Sequence, residues 1–260
     1  MANIVTEAED WFEQYIEDHV PVEMKDNGMI RLKIDHSKRV SRMCGGLAED
    51  LRWSNADIDA ARVMGILHDI GRFTQYSRFK TFSDDRSENH GETGYELLMS
   101  SQLLNGFNER RRNGILAGIR YHNRREIPAL IIDGALPFLK LMRDADKLDI
   151  YSIFDKAIRD NSFASRLQSA INIKINGSVN PLAIAAVMRD ETVLNEHIKT
   201  GMDFLLMLLS WIFDLNYQPS RQRLFDSGTI DLVISRLPKG PAVNDAVEHV
   251  LATCDAHKSE

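Results

Sequence analysis

An imidazole and a carboxylate stand side by side in Gly65-Ile66-Leu67-His68-Asp69-Ile70-Gly71-Arg72, at the end of an apolar stretch. Burying an ionised aspartate unpaired is costly, so Asp69 needs a cation beside it. Arg72 is one option and a metal ion the other. A carboxylate has two oxygens and can bridge two ions, while an imidazole holds one of them. A histidine taken singly is usually a paired core residue, so the argument rests on the company this dipeptide keeps. His36, His90, His122 and Asp146 each stand in, or at the edge of, a stretch with helical periodicity. Four of the chain's eight histidines are therefore candidates for one cluster.

The elements that must bring them together can be read from spacing. His36 opens the stripe Val40, Met43, Leu47 and Leu51, the inner face of an amphipathic helix. Ser54 and Asp57 form a capping box ahead of Ile58, Ala61 and an apolar run to Ile70, and Gly71 is placed to end that helix, leaving His68 and Asp69 in its last turn. Residues 74–89 are polar and without period, which predicts a loop near the mouth of a site. His90 falls in the first turn of the next helix, where side chains are usually solvated. Over 108–122, Ile115, Ile119 and His122 share a face, and Pro128 soon forbids continuation. Arg110, Arg111 and Arg112 read as the solvated face, whereas Arg120, Arg124 and Arg125 are close enough to His122 to attract an anion. Pro137 suits the first turn of a helix with Leu139, Met142, Asp146 and Asp149 on one side and Leu141, Asp144 and Leu148 on the other. Periodicity leaves open whether Asp144 or Asp146 points inward.

The flanks carry no visible chemistry. Residues 7–18 predict an N-terminal helix, and Asn27-Gly28 reads as a turn pair. Beyond Tyr151 the pattern predicts a helix from Ile153 to Ile171, a break at Asn176-Gly177, a long helical segment from Pro181 to Leu215, and two shorter helices punctuated by Pro219 and by Pro238 to Pro241. This half is assigned to packing, pocket lining or dimerisation.

With 260 residues, 43% apolar and 27% charged, the composition is that of an ordinary soluble fold. A net charge of −6 argues against a protein dominated by nucleic-acid backbone contacts. Cys44 and Cys254 make neither a disulfide framework nor a metal-spacing motif. The N-terminus lacks a basic start followed by an apolar run, and the stretch Met202 to Leu215 is too short for a bilayer and carries Asp203 and Asp214. A cytoplasmic protein with no membrane contact is expected.

Taken together, the order His36, His68-Asp69, His90, His122, Asp146 resembles the HD-domain superfamily of metal-dependent phosphohydrolases. The local contexts are similar too: His-Asp-Ile-Gly-Arg at 68–72, His-Gly-Glu-Thr-Gly-Tyr at 90–95 and Ala-Asp-Lys-Leu-Asp at 145–149. The resemblance spans roughly residues 30–152. It implies an all-α chain, a single domain over 1–260 made of an HD-domain helical bundle at about 30–152 with additional C-terminal helices over about 153–260. It also selects Asp146 over Asp144 as the last ligand, because the superfamily's ligand precedes a basic residue and leucine.

Carried over position by position, His36, His68, Asp69 and Asp146 would hold one metal, and Asp69, His90 and His122 a second. His122 is followed by Asn123-Arg124-Arg125, without the Gly-Tyr-Pro signature of the cyclic-di-GMP phosphodiesterase branch, so that substrate is not expected. Mixed imidazole and carboxylate donors suit Mn²⁺, Fe²⁺, Co²⁺, Ni²⁺ or Zn²⁺, with Mg²⁺ an option. The implied activity is hydrolysis of a small phosphate mono- or diester, a nucleotide among the candidates, by a metal-activated hydroxide. Asp69 would act at the centre of the site, and Arg72 and Lys147 would hold or screen the phosphate, a helix-end salt bridge being the plainer role for Arg72. Two other readings share the ligand order: a mixed-valent di-iron oxygenase of the HD fold, and a non-catalytic signalling module. A homodimer through the C-terminal helices is a further expectation.

Overall fold

Asn3, Asn27, Ser54, Asn89, Asn108, Asn180 and Thr200 each start a helix by accepting from a backbone N–H of its first turn. The computed structural model describes residues 3–25, 27–132, 134–171 and 173–258. Among the described residues every regular element is a helix, apart from an isolated parallel bridge between Lys174 and Thr200. By packing, the chain divides into two compact units, Met1–Asp149 and Ile150–Glu260, with the division inside one long helix.

The first unit is built from α1 (Ile4–His19), α2 (Val22–Lys25), α3 (Gly28–Asp50), α4 (Asn55–Leu67), α5 (Ile70–Phe79), α6 (His90–Ser100), α7 (Glu109–Tyr121) and the first part of α8 (Leu136–Arg159). α4 is its centre and packs against α1, α3 and α7, while α6 packs against α5 and α7. Its last turns bury Val63, Met64, Ile66 and Leu67 completely. Each such side chain contributes roughly 1.5–3 kcal/mol relative to leaving it in water. Ser54 caps α4 by accepting from the Asp57 backbone N–H, as expected from the sequence.

Several boundaries differ from those expected. The pair Asn27-Gly28 is a helix start: the Asn27 side chain accepts from the Met29 N–H, so α3 begins well before His36 and carries Lys33 on the same face. Gly71 does not end a helix. α4 stops at Leu67, the chain turns at His68 and Asp69, and Gly71 sits in the first turn of α5. The stretch 74–89 is a loop only in part, because α5 runs on to Phe79. Its inward face is Ile70, Phe73 and the buried amide of Gln75, a mixed face that periodicity of apolar residues alone overlooks.

The second unit holds α9 (Phe163–Ile171), α10 (Pro181–Val187), α11 (Gly201–Ser210), α12 (Gln218–Asp226), α13 (Thr229–Arg236) and α14 (Pro241–Lys258). The long segment expected from Pro181 to Leu215 is broken, because Thr200 and Asp203 form a capping box that starts α11 afresh. Asp203, which looks like a lone charge in an apolar run, is fully buried and accepts from the backbone N–H groups of Asn180, Lys199 and Thr200. Three helices rather than two follow. No helix among the described residues is long and apolar enough to cross a membrane, and Cys44 and Cys254 are both buried free thiols.

Candidate metal centre

Close approach of helices is what lets six distant side chains meet. A Cβ on Gly65 would lie 2.7 Å from the Ser41 Cα, so α3 and α4 touch backbone to backbone, and His36 is carried up to His68. A Cβ on Gly71 would lie 2.2 Å from the His90 carbonyl oxygen; only glycine lets α5 approach the start of α6 this closely. Asn89 caps α6 through the Glu92 N–H, which fixes His90 at the first helical position, and His122 follows directly on the last turn of α7.

The resulting geometry has two halves that share one carboxylate. In the first, His36 Nε2 lies 3.2 Å from His68 Nε2 and 3.1 Å from Asp146 Oδ1. Asp69 Oδ2 faces the same pair, at 3.6 Å from His36 and 3.5 Å from His68. In the second, His90 Nε2 and His122 Nε2 are 3.0 Å apart, and Asp69 Oδ1 lies 3.3 Å from one and 3.9 Å from the other. Of the two aspartates left open by periodicity, Asp146 is the one that reaches His36. Donor atoms of His36, His68 and Asp146, and of His68, Asp69 and His122, fall within 4.8 Å of one another, close enough for each set to hold a metal ion.

The outward ring nitrogens decide what the inward ones can be. His68 Nδ1 is 2.8 Å from the Gly65 carbonyl oxygen, and His122 Nδ1 is 2.9 Å from that of Ile119. His36 Nδ1 is 2.7 Å from Asp149 Oδ2, and His90 Nδ1 is 2.8 Å from Asp84 Oδ2. All four partners are acceptors, which assigns a proton to each Nδ1 and, on the neutral rings His68, His90 and His122, leaves a lone pair on Nε2. The lone pairs of His90 and His122 thus face each other at 3.0 Å with no proton between them. Such an arrangement is repulsive unless a cation sits there, and it is the usual pattern of metal-ligating histidines.

Electrostatics point the same way. Burial pushes His90 and His122 down to about 4, and it lowers His68 as well, so these rings are neutral. His36 is raised: burial and Lys33 pull it down, but hydrogen bonds to Asp146 and Asp149 outweigh them. Burial works against ionised Asp69, yet Lys33 above all, then His68, His90 and Arg72, hold it well below the usual carboxylate range. Asp146, opposed by burial too, is lowered by its bond to His36. His68, His90 and His122 are neutral imidazoles beside ionised carboxylates, the protonation state in which metals bind.

Arg72 is tied down. Its Nη1 donates to Gln75 Oε1 at 2.8 Å, the Phe82 carbonyl at 2.5 Å and Asp84 Oδ1 at 2.7 Å, while Nε lies 3.5 Å from Asp69 Oδ1. Lys147 follows Asp146 on α8 and is half-buried. Four residues that sequence reasoning did not place in the site belong to it. Lys33 Nζ donates to Asp69 Oδ2 at 2.6 Å, Arg39 makes a two-pronged contact with Asp149, and Asp84 gathers Arg72, Gln75, His90 and Asn123. Lys33 and Asp149 were within reach, each lying three residues from a candidate metal-binding residue, His36 or Asp146, on the same helix face. Asp84, in a stretch without period, gave no signal.

A family model described as HD domain matches residues 34–151. Residues 34–151 are an HD domain. No curated protein and no solved structure matches the chain. The HD domain contains every donor atom of the two halves described above, and Lys33 lies just ahead of it. HD domains bind divalent metals and go with metal-dependent phosphohydrolase-type activity, and the donor set here fits such an ion.

Proposed function

We propose that this HD domain is a phosphohydrolase that cleaves a small phosphate mono- or diester, with His36, His68, Asp69 and Asp146 holding one divalent ion and Asp69, His90 and His122 a second. The observation that carries the reading is the carboxylate of Asp69, turned with Oδ2 toward one histidine pair and Oδ1 toward the other. Bound divalent ions would supply an acidified water near neutral pH and offset the charge that develops on phosphoryl oxygens.

The chain's own residues do the rest. The two carboxylate-backed histidines, His36 and His90, are held in orientation by Asp149 and Asp84, so the donors are in place before any ligand arrives. Arg72 keeps a positive charge behind Asp69, and its hydrogen bonds to the Phe82 carbonyl and Asp84 fasten the following loop to the site. Asp146 is the one proposed ligand with appreciable exposure, 21% of its side chain, against 4% or less for the others, so substrate must enter on its side. Lys147, next to it in sequence and half-buried, is a candidate to meet an incoming phosphate.

The test is elemental analysis of protein purified without added metal, followed by assays with Mn²⁺, Co²⁺, Ni²⁺ and Zn²⁺ on p-nitrophenyl phosphate and bis-p-nitrophenyl phosphate. Metal-dependent turnover that chelation abolishes and metal restores supports the reading. Full loading without turnover of either ester defeats it, and bound iron with oxygen uptake would transfer the site to oxygenase chemistry.

A further inference from the structure

The ammonium of Lys33 sits where an ion's ligand should be free. Lys33 lies one turn before His36 on α3, and its Nζ is 2.6 Å from Asp69 Oδ2, the oxygen that also faces His36 and His68. A carboxylate oxygen engaged with a divalent cation holds a second positive charge at that distance less tightly, because the two cations repel across a poorly screened interior. An ion filling the site therefore competes with Lys33 for that oxygen. It has somewhere to go. Asp69 is 3% exposed on its side chain, but Lys33 is 22% exposed, so its stem has solvent to move into. Its Nζ also lies 5.9 Å from the ring centroid of Phe82, which Arg72 approaches from 6.0 Å, so the mouth already gathers positive charge.

We infer that Lys33 is an exchangeable cation of this site: it neutralises Asp69 while the first ion is absent, competes with that ion, and once displaced binds a phosphoryl oxygen of the substrate. The inference rests on the proposed two-ion phosphohydrolase and adds a residue to its substrate contacts. Lysine suits the role better than arginine would. A flexible stem carrying a compact point charge can swing between two anions, whereas a planar guanidinium is held by paired bonds, as Arg72 is.

Two affinities test it on the full chain. Calorimetric titration with Mn²⁺ reads the competition, and titration of the Mn²⁺-loaded protein with inorganic phosphate reads the contact. Lys33→Met should bind Mn²⁺ about tenfold tighter or more, because a competitor has gone, and phosphate about tenfold weaker or more, because a charge-assisted hydrogen bond has gone. Lys33→Gln, which keeps a polar side chain at this partly exposed position, should show both shifts if the methionine variant loses helicity. Unchanged or weaker Mn²⁺ binding in the folded neutral variants overturns the inference, and so does unchanged phosphate binding. Wild-type protein that takes up no divalent ion would instead bring down the metal reading itself, and this proposal with it.

Discussion

Asp149→Asn removes one charge from behind a proposed ligand while keeping its shape, and the consequence can be worked out atom by atom. Asp149 is 2% exposed; its Oδ2 accepts from His36 Nδ1 at 2.7 Å, and its Oδ1 accepts from Arg39 Nε at 2.6 Å. The new amide has one oxygen to accept from three donors, His36 Nδ1, Arg39 Nε and Arg39 Nη2. If its oxygen turns to Arg39, its NH₂ faces His36 Nδ1, which must then offer a lone pair, and the ring proton moves to Nε2. That proton would point at His68 and Asp146 and occupy the place of an ion. If the oxygen turns to His36 instead, it keeps the bond from Arg39 Nη2, while Arg39 Nε faces an NH₂ and must seek water, which the 35% exposure of that side chain allows. In both states His36 loses an ionised partner. Outer partners of this kind are worth about 10–100-fold in metal affinity, or about 1.4–2.7 kcal/mol. The unpaired donor costs the metal-free fold about 1–3 kcal/mol besides. Calorimetry with Mn²⁺ and urea denaturation of the metal-free protein separate the two effects. Asp149→Asn that binds Mn²⁺ at wild-type affinity and stoichiometry would refute the tautomer argument on which the whole site rests.

Three further outcomes are expected. Gly71→Ala drives a methyl into the His90 carbonyl, a backbone atom that cannot step aside, and should cost about 1–3 kcal/mol in urea denaturation with loss of metal affinity; a wild-type midpoint would mean that α5 and α6 can part freely. In metal-stripped protein, His90 and His122 titrate at about 4 when folded, against an ordinary value of 6.5. Between these values the unfolded chain binds protons that the folded one does not, so stability falls as pH drops from 6.5 toward 4, by up to about 3 kcal/mol per histidine. His68 adds to this trend; His36, whose value is raised, opposes it, its contribution being lost as pH rises. The urea midpoint should therefore be lower at pH 5 than at pH 7, and an equal or higher midpoint contradicts the buried neutral imidazoles. Adding metal at about 100 times its dissociation constant should stabilise the folded chain by about 2.7 kcal/mol, a thermal shift of about 5–10 °C that a chelator reverses; no shift would leave the donor cluster without its cation.

Read alone, the amino-acid order contained the helical class and the order of the histidines and aspartates that the fold gathers. The reasons are local. A cap such as Ser54 or Asn89 satisfies backbone donors within three residues, and a stripe such as Val40, Met43 and Leu47 repeats every turn, so both are visible in any short window. Periodicity also showed that Ile119 and His122 share a face, and the resemblance to HD domains singled out Asp146. What it could not contain was anything set by two elements at once. Gly71 reads as a helix stop until the carbonyl of His90, nineteen positions on, is found against it. Asp84 reads as a loop residue until the fold lays it on His90, Arg72 and Asn123. Lys33 carries no signal of its own until α3 and α4 close on each other at Gly65 and bring its ammonium onto Asp69. Which oxygen of Asp69 faces which histidine pair is likewise a property of five helices meeting at one corner. Charges buried there interact through a poorly screening interior, so their strength depends on ångströms, and only tertiary packing sets distances that small.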